Sequence, residues 1–398
     1  MTDGPLDRIY LDHNATTPVF PEVVDAMCAC WGAPYLNPAS QHVFGRRARR
    51  VLEDCRDRVA DLLGANTSGA NADRVIFTSG GTEANNLAIR GLLERPGTFS
   101  SPSSRPQFII SAIEHPSIAA LANQLSNVGW QVDRLKVDVN GVIRIDDLTR
   151  QLRPETGLVA TMLANNETGV LQPLAELAAI CNERGVPLHT DAAQAIGKVP
   201  ISFQKWGVAT MSIAAHKFGG PLGIGALVIR GDVHISPLLF GGFQQGGTRP
   251  GTESVALAVG MCHALEIWQA KRTEFVDRLR HLRERFENTI LVGYPEAVII
   301  GDKAERLPHV SNIAFVGLDR QRLFLALDQV GIACSTGSAC ASGSSEPSPV
   351  HIAMGCEAGV ILSALRFSFG VDTTAEHGDD AARRILRVCN DLRRQNHA

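Results

Sequence analysis

Apolar positions follow two alternating patterns along most of the chain. Short runs rich in β-branched and aromatic residues fall at 74–78, 108–113, 158–163, 186–190 and 210–214, and each predicts a strand. Between them, apolar residues return at helical spacing. Ala48, Val51, Leu52, Cys55, Val59 and Leu62 mark one helix, which Gly64 stops. Residues 82–90 read as the helix after the first of those strands. Ile118, Leu121, Ala122 and Leu125 mark another, and Leu174, Leu177, Ala178 and Cys181 a further one stopped by Gly185. Strands separated by helices argue for a mainly parallel sheet covered on both faces. Ligands then collect at the loops beyond the carboxyl ends of the strands.

The rhythm changes after residue 250. A long helix around 251–271 leads into a second region, where Phe275, Leu279, Leu282 and Phe286 set a further helix. A strand at 310–316, a helix at 323–327 and a strand at 365–369 follow. Ala382, Ile385, Leu386 and Cys389 mark the last helix. Residues 96–106, rich in Ser, Pro and Gly, read as a surface loop. No internal repeat is visible.

Length and composition narrow the class. A chain of 398 residues exceeds one small core and predicts a large domain with a smaller one. With 44% hydrophobic and 20% charged residues it reads as a globular enzyme, not a disordered chain. Its 38 basic and 41 acidic residues leave a net charge of −3, so no global basic field points to nucleic acid or a membrane surface. The one basic cluster, Arg46, Arg47, Arg49, Arg50, Arg56 and Arg58, reads as a solvated helix face. The N-terminus has no signal-peptide pattern and no apolar run approaches a membrane span. Nine cysteines, an odd number, predict free thiols in a reducing, cytoplasmic compartment. Cys28 and Cys30 lie two apart on a helical pattern and do not face each other, so no metal site is expected there. Cys28, Cys55, Cys181, Cys262 and Cys389 read as core or surface fillers.

Candidate chemistry gathers at the predicted strand ends. Only six of the basic residues are lysines. Lys217 alone among them sits between a strand-like run and a turn with Gly219, Gly220, Gly223 and Gly225, where backbone can pass close to a ligand. An amine desolvated there loses proton affinity and can form a Schiff base with an aldehyde cofactor. Thr78-Ser-Gly-Gly-Thr-Glu-Ala-Asn-Asn86 joins a strand to a helix through two glycines, either as an anion site or as an ordinary helix cap. Leu188-His-Thr-Asp-Ala-Ala-Gln194 ends a strand with an acid. Asp191 is suited to a protonated pyridine nitrogen, or caps the next helix. His115 precedes a helix opened by Pro116 and can stack on a ring and move protons, or serve structure alone. Asn166, in the turn Ala164-Asn-Asn-Glu-Thr-Gly169, can donate to a hydroxyl or a carboxylate, or simply make the turn.

Together these segments resemble one family: pyridoxal-phosphate enzymes of the class V aminotransferase group, and within it the cysteine desulfurases. The resemblance also takes in Tyr10-Leu-Asp-His-Asn-Ala-Thr-Thr-Pro18, Asn37-Pro-Ala-Ser-Gln-His42 and Gly241-Gly-Phe-Gln-Gln-Gly-Gly-Thr-Arg-Pro-Gly-Thr-Glu253. It ends with Ser335-Thr-Gly-Ser-Ala-Cys-Ala-Ser342, Glu346-Pro-Ser348 and Leu365-Arg-Phe-Ser-Phe-Gly370, and so runs in order through nearly the whole chain.

The resemblance implies an α/β fold of the pyridoxal-phosphate transferase fold type I. A large cofactor-binding domain over 15–260 would carry the mainly parallel sheet. Residues 1–14 and 261–398 would form a smaller α+β domain with the catalytic cysteine loop. Lys217 would hold the cofactor covalently, Asp191 would pair with its ring nitrogen and His115 would stack on the ring. Gln194 and Asn166 would contact the ring oxygen. Gly81, Thr82 and His216 would bind the phosphate beside residue 214, and Thr252 would reach the phosphate of a neighbouring subunit, which implies a homodimer. Arg366 would clamp the substrate carboxylate with Asn166, and Asn37 lies in a further substrate-side segment.

Cys340 turns the reading from aminotransferase to desulfurase. It lies in a stretch of Cys, Ser, Thr, Gly and Ala over 334–345 that no packed helix would choose, which predicts a mobile loop. A thiolate there would take sulfur from L-cysteine, leave alanine, and pass a persulfide on. The long loop resembles the branch serving iron–sulfur cluster or nitrogenase assembly, with a transient scaffold or other sulfur acceptor as partner. Cys334 is either a bystander or a resolving thiol. Three positions depart from the family: Ala214 where serine is usual, Ala209 where aspartate is usual, and Leu222 where lysine is common. Rival readings are a selenocysteine lyase or cysteine sulfinate desulfinase on the same scaffold, or a non-catalytic sulfur-carrying protein. A nucleotide-binding fold would need a Gly-x-Gly-x-x-Gly turn, and the first βα turn offers only Gly80-Gly81.

Overall fold

A computed structural model describes residues 8–94, 106–337 and 346–396. Cys340, and all but the last residue of the loop expected at 96–106, fall outside the described residues.

The first strand, β1 (Ile9–Tyr10), is short and pairs far away in sequence. Seven strands then build the main sheet: β2 (Arg74–Thr78), β3 (Gln107–Ser111), β4 (Gln131–Leu135), β5 (Thr156–Met162), β6 (Leu188–Asp191), β7 (Thr210–Ala214) and β8 (Gly225–Ile229). Their order is β2-β8-β7-β6-β5-β3-β4. Only β8 runs against its neighbours, so the sheet is mainly parallel, as the alternation of patterns predicts. β3, β5, β6, β7 and β8 are buried along their whole length. That is why β3, β5 and β7 read as continuous runs rather than alternating ones.

Two of these strands have no counterpart in the sequence reading. β4 is Gln-Val-Asp-Arg-Leu, an edge strand open to solvent on most positions, and polar edges leave no apolar run. β8 follows the glycine turn after Lys217 so closely that the turn hides it.

A second sheet joins β9 (Ala297–Ile299), β10 (Val310–Phe315) and, after β11 (Ile332–Ala333), β12 (Ala364–Ser368) in the antiparallel order β12-β10-β9. β11 pairs in parallel with β1, bringing the N-terminal segment onto the C-terminal region.

One helix, Val255–Gly293, spans 39 residues, about 58 Å at 1.5 Å per residue. The sequence reading split it into two helices, and the structure corrects this. Between Gly260 and Gly293 the chain has no glycine or proline to stop the helix. Ser254 caps it by accepting from the Leu257 N–H. Gly260 has a packing reason: a Cβ there would lie 2.7 Å from the Met27 sulfur. The helix packs on Pro21–Gly32 and Val43–Leu62 near its start and on Ala375–Asn396 further along.

The basic cluster needs one correction. Arg56 is not a solvated arginine. It pairs with Glu253 at 2.9 Å, donates to Gln245 and to the Val75 carbonyl, and lies over the Phe77 ring at 4.9 Å. It ties its helix to the loop that carries Thr252.

Candidate active site

The sheet's direction assembles the site. β2, β3, β5, β6 and β7 all end at one edge, and each releases a candidate residue there. Gly81 and Thr82 follow β2, His115 follows β3 and Asn166 follows β5. Asp191 ends β6 with Gln194 just beyond it, and His216 and Lys217 follow β7. All of these, with Ala214, line one cavity of about 250 Å³.

Each wall has a local cause. The helix Gly81–Leu93 starts on Gly80 with no side-chain cap, which leaves its first N–H groups facing the cavity end. A Cβ built on Gly81 would lie 3.4 Å from the Ala214 Cβ, so any larger residue narrows that cradle. His115 is the N-cap of Pro116–Asn127, its Nδ1 accepting from the Ser117 N–H at 3.1 Å. Asp191 Oδ1 accepts from the Ala193 N–H at 2.9 Å, which fixes the carboxylate. Lys217 closes a single 3₁₀ turn after β7.

Among the described residues, the Lys217 amine has no carboxylate partner within hydrogen-bond reach. It donates to two main-chain carbonyls, Asn14 at 2.6 Å and Ala15 at 2.9 Å. Burial, helped by the Arg366 charge, pushes its pKa down to about 8. Burial also lowers His115, and together with Lys217 and Lys198 it pushes His216 down to about 4. Glu114, beside His115 in sequence, is buried and pushed up to about 8, against the pull of its Ser111 and Met162 partners.

Pyridoxal phosphate needs an anion cradle, a flat ring partner, a carboxylate for its pyridine nitrogen and an amine for its aldehyde. The cavity carries all four: the open helix end at Gly81, His115, Asp191 and Lys217. The residues present fit the group.

Three candidates lie elsewhere in the chain. Asn37 and Thr252 line a separate cleft with Trp31, Tyr35 and Leu36, and neither touches the main cavity. Arg366 is buried on β12 behind Asn166. Its guanidinium donates to the Asn166 carbonyl at 2.9 Å and to Asp12 at 2.7 Å, while Nε finds no partner among the described residues. Cys340 is outside the described residues, but both stems of its segment are placed. Ser335 pairs with Arg366 across a β-bridge. Gly337 (φ +91°) abuts Glu167, leaving no room for a side chain, and Ser348 donates to the same buried carboxylate at 2.7 Å. Cys334 is buried. Of the positions that depart from the family, Ala209 packs in the core and Leu222 is exposed.

The structure adds residues that sequence reasoning missed. Asn85 and Ser117 line the cavity, and Asn85 donates to Asp191 at 2.8 Å. Asn14 accepts from Lys217 and Gln194 through its carbonyl and donates to the Asn166 carbonyl. Lys198, a second buried lysine, donates to the Lys217 carbonyl at 2.6 Å, and burial pushes its pKa down to about 7. The Gly197-Lys198 pair after the Asp191 turn was the available signal for it. Among the described residues, no group of His, Cys, Asp or Glu is placed to hold a metal ion, and no helix is long and apolar enough to cross a membrane.

The sequence model of the Aminotransferase class-V family matches residues 9–379. The chain is 37% identical over 386 residues to the cysteine desulfurase IscS of Dictyoglomus turgidum, covering 97% of this chain and 95% of that one. It is 40% identical over 381 residues to an IscS-like cysteine desulfurase of Mycobacterium tuberculosis, covering 95% of each. A solved structure of a NifS-like protein superposes with a TM-score of 0.88 at 32% identity, over 97% of this chain and 100% of that one.

Proposed function

Because the chain belongs to the class-V aminotransferases, a family that works with pyridoxal phosphate, we propose that it is a cysteine desulfurase. The reaction converts L-cysteine to L-alanine and leaves the sulfur on the protein as a persulfide. The observation that carries the reading is the convergence of Lys217, Asp191 and His115 on one cavity whose far end is an open helix N-terminus. Relatives named cysteine desulfurase over nearly the full length support it.

Bound pyridoxal phosphate supplies an electron-withdrawing ring that lets Cα lose a proton and the Cβ–S bond break. The chain's own residues do the rest. Asp191, held by Ala193 and Asn85, keeps a negative charge where a pyridine N–H would sit. Gly81, Thr82 and His216 would hold the phosphate, with Ala214 offering no hydroxyl. Gln194 and Asn166 would hold the ring oxygen. Lys217 would anchor the aldehyde and, with His115, move protons. The Cys340 thiolate forms an S–S bond as the substrate's C–S bond breaks. The carbon fragment keeps the C–S electron pair and takes a proton to become alanine.

Arg366 is the proposed carboxylate clamp. Asp12 already occupies one arm of its guanidinium at 2.7 Å, so the group is set up to hold a carboxylate and exchanges partner when substrate arrives. Arg366→Ala lowers kcat/KM for L-cysteine about 30- to 5,000-fold, or roughly 2–5 kcal/mol, the range for removing one partner of a buried charge pair. Steady-state kinetics checks this, and unchanged efficiency would remove Arg366 from the substrate site.

We assign 15–260 to a cofactor domain, and 1–14 with 261–398 to a smaller one. The main sheet falls within 74–229 and the antiparallel sheet within 297–368, which supports the division. We also propose a homodimer. Thr252 and Asn37 face a cleft away from their own cavity, beside exposed Trp31 and Leu36, while Phe240 and Phe243 of the same loop as Thr252 stand almost fully in solvent. The sulfur acceptor would be an iron–sulfur scaffold or another carrier protein, in the cytoplasm.

The test is turnover of L-cysteine, L-selenocysteine and L-cysteine sulfinate by the reconstituted protein. In a single turnover, alanine and protein persulfide should appear in equal amounts from L-cysteine. No alanine from L-cysteine would overturn the reading, and preference for either analogue would move it to the corresponding rival.

A further inference from the structure

Asn85 lies on the inner face of the helix Gly81–Leu93 and is 1% exposed. Its amide meets four polar groups. Nδ2 is 2.8 Å from Asp191 Oδ2 and 2.8 Å from Ser117 Oγ. Oδ1 is in contact with Ser212 Oγ and lies 3.0 Å from His189 Nε2. Ser117 in turn places its Oγ 2.8 Å from His115 Nδ1 and its backbone N–H 3.1 Å from the same nitrogen.

Counting donors and acceptors fixes the protons. A backbone N–H can only donate, so His115 Nδ1 must be a bare acceptor, and the neutral ring carries its proton on Nε2. With Asp191 as a carboxylate, which the proposed function requires, Asn85 must turn its NH₂ toward Asp191. The second N–H then goes to Ser117 Oγ, whose own hydroxyl proton points to His115 Nδ1. Asn85 Oδ1 is left to accept, so Ser212 and His189 Nε2 both donate to it. His189 Nδ1 accepts the Thr210 hydroxyl at 2.9 Å. Burial keeps both imidazoles neutral, pushing His189 down to about 4 and lowering His115. The charges acting on His115 are Asp191, which favours its protonation, and Lys217, which opposes it; Asp191 also acts on His189.

We propose that Asn85 is a positioning residue that sets the proton inventory of the site. One N–H holds Asp191. The other, through Ser117, supports His115 in the tautomer whose proton sits on Nε2, on the side of the ring away from Ser117. In this tautomer Nε2 carries an N–H and no lone pair, so the neutral His115 ring offers a hydrogen-bond donor there. This fixes which nitrogen of His115 carries the proton in the proposed desulfurase and rests on that reading for the charge of Asp191.

The experiment is NMR of ¹⁵N-histidine-labelled full-length apo-protein from pH 5 to 9, with signals assigned by His115→Gln and His189→Gln. At pH 7 both rings should be neutral with the proton on Nε2. A His115 ring protonated on Nδ1, or an imidazolium at pH 7, overturns the proposal. The second arm is Asn85→Asp, with its fold checked by circular dichroism. Aspartate has no N–H for Asp191 or Ser117, and it sets a carboxylate against His189 Nε2. His189 should then be imidazolium at pH 7, and the His115 midpoint should rise as the Ser117 hydroxyl turns to the new carboxylate. Wild-type titration of both rings in a folded variant would show that Asn85 sets no protons. If that variant does not fold, Asn85→Ala is titrated instead, and wild-type midpoints of both His115 and His189 in it would likewise overturn the proposal. These signals do not depend on turnover, so a protein that makes no alanine would fail the desulfurase reading separately.

Discussion

Lys217→Ala leaves a folded protein that retains no pyridoxal phosphate after borohydride reduction and makes alanine at a rate lowered ~10⁴-fold or more. The lower bound follows from losing both the covalent anchor and a proton carrier, since positioned acid–base groups alone supply about 10²–10⁴-fold. The structure explains why this lysine is suited to the role. Its amine meets two carbonyls and no carboxylate, and burial with the Arg366 charge brings its pKa to about 8 from 10.5. At pH 7 about a tenth of the amine is therefore neutral and able to attack an aldehyde. Capture of the cofactor by wild-type apo-protein should accelerate about tenfold per pH unit below 8 and level off above it. Stability carries the same signature. Between about pH 8 and 10.5 the unfolded chain binds the proton that the folded chain has released, so wild-type apo-protein gains stability as pH rises through that window. The alanine variant lacks the Lys217 share of this gain and keeps that of Lys198, whose pKa is also lowered by burial. Absorbance after reduction and desalting, with alanine quantified, checks the central claim. A variant that is active and coloured like the wild type would remove Lys217 from the chemistry.

What the sequence revealed follows from how each residue is placed. β5 and β7 are buried on both faces, so they are written as continuous apolar runs and were legible. The ends of β3, β6 and β7 carry His115, Asp191 and Lys217, which is why these residues could be found from the chain alone. β4 could not be found this way, because solvent on most of its positions allows Gln, Asp and Arg in place of an apolar run. Arg56 read as one of six surface arginines, because its partners Glu253 and Gln245 lie nearly 200 residues further along the chain. Asn85 was hidden in the opposite way. A polar residue beside Asn86 on a helix looks like a solvated face, and only packing against β6 and β7 shows that it faces inward. Arg366 was found as a cation but not as the partner of Asp12, since that pairing depends on β1 being carried onto β11 and the segment after it onto β12. Local pattern determines which residues reach a strand end. It does not determine which distant side chains meet them.

Cys340→Ser yields a protein that binds pyridoxal phosphate like the wild type and changes absorbance on addition of L-cysteine, yet forms no persulfide and releases no alanine above a background ~10³-fold lower. The separation is expected because the two functions sit on different parts of the chain. Every cofactor residue that lines the main cavity ends or closely follows a strand of the main sheet. Cys340 belongs to a segment whose stems are held by β12 at Ser335 and by the buried Glu167 carboxylate, which meets both Gly337 and Ser348. A serine in that segment leaves those anchors and the cavity intact. It cannot replace the chemistry. Sulfur transfer needs a nucleophile that reaches its anion near neutral pH and forms a stable bond to sulfur, and a thiol with a pKa near 8.5, a few per cent thiolate at about pH 7, meets both conditions. A serine hydroxyl stays protonated, and an O–S bond would not survive as a carrier. Without an acceptor for the sulfur, the substrate's C–S bond stays closed and alanine cannot form. The effect should exceed that of Arg366→Ala, which weakens capture but leaves the transfer step in place. The measurement is alanine and persulfide from L-cysteine with a thiol reductant present, beside the absorbance change. Wild-type alanine formation by the serine variant would mean that another thiol takes the sulfur, with Cys334, buried one residue before the Ser335 stem, the first to be replaced in turn.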